Sequence, residues 1–128
     1  MATKVFLICP VRGVDPLTLD RIYSYVLGLS RKDLMVHWPY YDTNQNDPVG
    51  LNICLENIDA IRQASEIHVW YDPASVGSVF DLGAALTASL MGTPKKFVIA
   101  NPDEVHPTDA KSFQNVLLAL ARNTVGAV

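Results

Sequence analysis

Residues 66–86, EIHVWYDPASVGSVFDLGAAL, leave this chain little choice of fold. Ile67, Val69 and Tyr71 mark a buried strand that breaks at Asp72-Pro73. A turn of small residues follows, Ala74-Ser75-Val76-Gly77-Ser78, and helical spacing begins near Val79. A strand that runs through a Gly/Ser turn into a helix aims backbone N–H groups and the positive helix end at one spot, which suits an anion. Asp81 falls in the first turn of that helix, so an acid sits beside the cradle.

The same unit recurs along the chain. Val5 to Cys9 is a continuous apolar run, as in a strand covered on both faces of a parallel sheet. It stops at Pro10-Val11-Arg12-Gly13, and Asp15-Pro16 then supplies an N-cap with proline at the first helical position. Leu34 to Trp38 is a second strand that opens into a polar loop, Pro39 to Asn46, with Tyr40 and Tyr41 at its root. Asp47-Pro48 repeats the cap-plus-proline device before a helix whose apolar stripe reads Leu51, Cys54, Leu55, Ile58 and Ile61, with Asn57 on its flank. Lys96 to Ala100 is a fourth strand, and Thr108 is placed to cap a last helix through Phe113, Val116, Leu117 and Leu120.

This β-α alternation predicts one α/β domain over residues 1–122 with a loose tail at 123–128. The expected architecture is a doubly wound parallel sheet of flavodoxin or Rossmann type, four to five strands in the order 2-1-3-4. Ligands in such sheets bind beyond the carboxyl ends of the strands, where the order reverses. Here that point joins Arg12 and Gly13 from the first loop to Ser75 through Asp81 from the third.

Ten Lys and Arg against thirteen Asp and Glu leave no basic stripe for a nucleic-acid polymer, although a small anion needs only a local cradle. No apolar run reaches the roughly 18 residues of a membrane span, and Lys4 onward runs into a strand without a cleavable signal pattern. With Cys9 and Cys54 read as buried, reduced thiols, the expected compartment is the cytoplasm. The third helix is apolar nearly all round, which predicts burial on two sides and a homodimer or larger assembly. There is no GxxxxGK[ST] or GxGxxG sequence, and His37, His68 and His106 lack metal-ligand spacing, so neither cofactor nor metal is expected.

Each candidate group has a structural reading beside the functional one. Ser78-Val79-Phe80-Asp81 fits a capping box, which would keep the carboxylate ionised and is compatible with nucleophilic attack. Ser75, Gly77 and Ser78 suit either a phosphate or a plain turn. Arg12 suits a phosphate or solvent. Trp38, Tyr40 and Tyr41 suit a stacked nucleobase or rim packing.

Two stretches, Phe6–Gly13 and Asn57–Leu86, resemble the nucleoside 2-deoxyribosyltransferase family, in particular its 2'-deoxynucleoside 5'-phosphate N-hydrolase branch. The family's Ser-x-Gly-x-x-x-Glu-x-Gly pattern corresponds to Ser75-Val76-Gly77-Ser78-Val79-Phe80-Asp81-Leu82-Gly83. The resemblance implies Asp81 as the nucleophile, Ser75 as a phosphate contact, and Arg12 and Gly13 in the phosphate-side loop. It implies cleavage or transfer at the N-glycosidic bond of a (deoxy)nucleoside or its 5'-monophosphate through a covalent glycosyl-enzyme. Asp81 stands in place of the family's Glu and Asn57 in place of an Asp on the preceding helix, where Asn orients a hydroxyl but is no base. The alternative function is a non-catalytic nucleotide-binding or sensor module on the same fold.

Overall fold

A computed structural model describes residues 2–122; the tail expected at 123–128 lies outside them. Four parallel strands, β1 (Thr3–Ile8), β2 (Leu34–His37), β3 (Glu66–Val69) and β4 (Lys96–Ile99), form one sheet in the order β2-β1-β3-β4. This is the 2-1-3-4 order expected from right-handed crossovers. Five helices connect or follow the strands: α1 (Pro16–Ser30), α2 (Pro39–Asp42), α3 (Leu51–Gln63), α4 (Val76–Met91) and α5 (Phe113–Arg122).

Strand alternation splits the core in two. Phe6, Ile8, Ile67, Val69 and Phe97 point to one face, where Ile61 of α3, Leu82 and Ala85 of α4 and Leu117 of α5 cover them. Leu7, Cys9 and Trp70 point to the other, against Ile22 of α1 and Trp38. Fully burying side chains of this size contributes about 1.5–3 kcal/mol each, so β1, buried on both sides, anchors the sheet. Two polar contacts lock the layers. Glu66 accepts from His68 Nε2 at 3.0 Å, which leaves His68 Nδ1 to accept from the Tyr25 hydroxyl at 2.6 Å and ties α1 to β3. Buried Lys95 donates to the carbonyls of Arg62 and Ala64 and so caps the end of α3.

Several boundaries differ from the sequence reading, each for a local reason. Asp15 caps α1 as expected, its carboxylate accepting from Thr18 N at 2.9 Å. Helix α3 starts later than Asp47-Pro48: Gly50, at φ +94°, makes the entry turn, while the Asp47 carboxylate reaches forward to the amides of Asn52 and Ile53. Its inner face is centred on Asn57 and Ile61, and Leu51 and Leu55 are exposed, so the apolar stripe is rotated from the expected one. Residues 39–42 form a short helix instead of open loop, because Asp42 folds back to accept from Trp38 N at 2.8 Å. Ser112, not Thr108, caps α5, since Thr108 is held by the Asn115 amide.

Helix α4 begins at Val76, not Val79. Ser75 is its N-cap, with its hydroxyl accepting from Ser78 N at 3.3 Å. The Ser78–Asp81 capping box is therefore not formed, and Asp81 is in the second turn. On the side turned from the sheet, Val79, Phe80 and Met91 are exposed along a groove against α3. That is the surface assigned from sequence to a second subunit. No helix among the described residues is long and apolar enough to cross a membrane.

Candidate active site

Beyond the carboxyl ends of β1 and β3, three walls line a cavity of about 390 Å³. The Pro10–Gly13 loop forms one wall, Gln45 and Asn57 a second, and Ser75, Gly77 and Asp81 a third. Larger open grooves of about 730 and 890 Å³ run along other faces. Neither combines a buried carboxylate with a helix N-terminus, so chemistry and not size singles out the smaller cavity.

Asp81 is only 8% exposed and lines this cavity without a hydrogen bond to any described residue. The missing capping box explains this: six residues into α4, its carboxylate is past the open first-turn amides. Burial alone pushes its pKa from the ordinary aspartate value of 3.8 up to about 6. The sequence predicts a carboxylate held ionised by backbone dipoles; the structure instead shows it desolvated and without those bonds.

Asn57, also buried, faces the same cavity from α3. Its Oδ1 accepts from the Thr43 hydroxyl at 2.6 Å, and Thr43 Oγ1 lies 2.8 Å from His37 Nε2. Thr43 and His37 had no distinguishing sequence signal, because the link crosses β2, the following loop and α3. Burial lowers the His37 pKa, with Asp42 and Glu56 opposing.

Ser75 and Gly77 line the cavity at the start of α4, where helical geometry leaves the amides of residues 76 and 77 without intrahelical acceptors. Ser78 does not line it: its buried hydroxyl bonds Ser75 Oγ at 2.7 Å and fixes the cap. Arg12 and Gly13 do line it, Gly13 turning the loop at φ +70°. Arg12 donates to the Gln45 carbonyl at 3.2 Å and retains further donors for an anion.

The aromatic group is elsewhere. Trp38 is 3% exposed and packs with Leu7, Ile22 and Trp70, so a stacking role for it is not met. Tyr40 and Tyr41 pack against its ring, with centroids at 5.3 and 5.0 Å, and neither lines the cavity. Cys9 lines the cavity, but burial pushes its thiol up to about 12, with Trp38 partly opposing and the nearby Asp81 charge adding a smaller rise. It is no nucleophile. No cluster of three or more His, Cys, Asp and Glu among the described residues is arranged to hold a metal ion.

These features define an α/β protein with an acid-lined cavity at its topological switch point. The fold is shared with the solved structure of Clostridium botulinum CMP N-glycosidase, BcmB, at a TM-score of 0.59 and 18% sequence identity, covering 98% of this chain and 87% of that one. No protein-family model and no curated protein matches the chain.

Proposed function

We propose that this protein cleaves or transfers at the N-glycosidic bond of a nucleoside 5'-monophosphate or (deoxy)nucleoside, with Asp81 as nucleophile. One observation carries the reading: a buried carboxylate, without a hydrogen bond to any described residue, that lines a cavity beside open helix amides. An Asp81 oxygen attacks the anomeric carbon as the bond to the base breaks. The bonding pair leaves with the base, which takes up a proton. Water then releases the sugar from the aspartyl ester and regenerates the carboxylate, or a second base captures it. The amides of residues 76 and 77, the Ser75 hydroxyl and Arg12 hold the phosphate. The fold shared with a CMP N-glycosidase supports a nucleotide as ligand. No cofactor is needed, and the apolar outer side of α4 is assigned to a second copy of the chain.

A second reading is favoured by Asp81 itself. Its arm is one methylene, about 1.5 Å, shorter than the glutamate of the family the sequence resembles, and misplacement near 1 Å can cost about a hundredfold in rate. On that reading the cavity binds nucleotide without turning it over. A panel of nucleosides and 5'-monophosphates separates the two: release of free base that disappears in Asp81→Ala supports the enzyme. Ligand-dependent thermal stabilisation without base release supports the binding module.

A further inference from the structure

The polar chain behind Asn57 has a direction. A threonine hydroxyl has one proton. If Thr43 gives it to Asn57 Oδ1, at 2.6 Å, then the 2.8 Å contact to His37 must run the other way, from Nε2–H to Thr43 Oγ1. The chain then reads His37 Nε2–H to Thr43 Oγ1–H to Asn57 Oδ1, and the Asn57 NH2 is left with no acceptor among the described residues. Reversing every proton would satisfy the same distances and turn the Asn57 carbonyl to the cavity. The cavity decides between them: Asp81 and Asn57 line it together, and an amide carbonyl turned toward the carboxylate would be repelled by it, whereas an NH2 would be attracted.

We propose that Asn57 presents its NH2 to the cavity as a fixed donor, that Thr43 and His37 are positioning residues setting this polarity from outside it, and that the site therefore requires an acceptor oxygen on its ligand at that point. Thr43 is 3% exposed and His37 opens onto the separate groove between β2 and α3, so neither touches the ligand. A sugar or phosphate oxygen meets the requirement; an N–H donor does not. Only the identity of that oxygen rests on the nucleotide reading.

Two measurements test this. Long-range ¹H–¹⁵N spectra at pH 8, with His37 assigned by its loss in His37→Gln, report which ring nitrogen carries the proton in the ligand-free protein. Nε2–H is expected; the Nδ1–H tautomer overturns the proposal, whether or not the protein binds nucleotide. Binding of cytidine 5'-monophosphate by Thr43→Val and Thr43→Ser gives the second. Loss of one hydrogen-bonded orientation is expected to weaken binding about tenfold in Thr43→Val, with Thr43→Ser restoring it. Unchanged binding in a folded Thr43→Val, or failure of Thr43→Ser to restore it, overturns the positioning role. If wild type binds none of this probe while His37 is Nε2-protonated, the nucleotide reading fails and the polarity stands.

Discussion

Two loops flank the switch point of this sheet, and each is followed by a helix with an aspartate near its start. Asp15, after β1, is the N-cap of α1: exposed, bonded to the amide and hydroxyl of Thr18 at 2.9 Å each, with those bonds holding its pKa below the ordinary value. Asp81, after β3, is buried and bare, and burial raises its pKa. The side chains are identical. What differs is position relative to the first helical residue. At the cap a carboxylate meets open amides and stabilises the helix; in the second turn it meets none and stays desolvated at the cavity wall.

The largest expected contrast is catalytic. Asp81→Ala should lower base release by at least about a thousandfold, whereas Asp15→Ala should leave it unchanged in a steady-state assay. Stability should show the opposite sign. Because Asp81 binds its proton more tightly in the folded than in the unfolded chain, stability falls as pH rises from 3.8 to about 6. Urea unfolding of Asp81→Asn at pH 8 should show a gain of up to about 3 kcal/mol that vanishes below about pH 4. Asp15 has a lowered pKa, so its contribution is present above the unfolded value and is lost as pH falls through the folded one. Asp15→Ala should therefore lower the melting temperature at pH 7 and not in strong acid. Activity should follow the ionised Asp81: kcat/KM should rise through about pH 6 and level off above it. A smaller effect is expected at Arg12. Arg12→Ala should raise KM for a 5'-monophosphate about tenfold and leave the KM of the matching nucleoside nearly unaltered.

The sheet order was legible because it rests on local signals: apolar runs five residues long, and Asp15-Pro16 where the cap and the helix start coincide. That Arg12, Ser75 and Asp81 line one cavity was legible for the same reason, since strand order alone brings their loops together. The state of Asp81 was not. Ser75 and Ser78 are both acceptable caps by spacing, and the structure has Ser75 as the cap with the Ser78 amide and hydroxyl bonded to it. Trp38 misled for a related reason: an aromatic residue after a strand reads equally as rim or core, and only contact with Ile22 and Trp70 from distant segments decides for the core. The link from His37 through Thr43 to Asn57 has no local pattern at all.

The central claim is that Asp81 carries the sugar. Quenching wild-type protein in denaturant during turnover of a nucleoside 5'-monophosphate, then mapping peptides by mass spectrometry, tests it directly. The account expects the peptide containing Asp81 to gain one sugar phosphate as an ester. A sugar found on any other residue, or steady base release with residue 81 unmodified throughout, would contradict it.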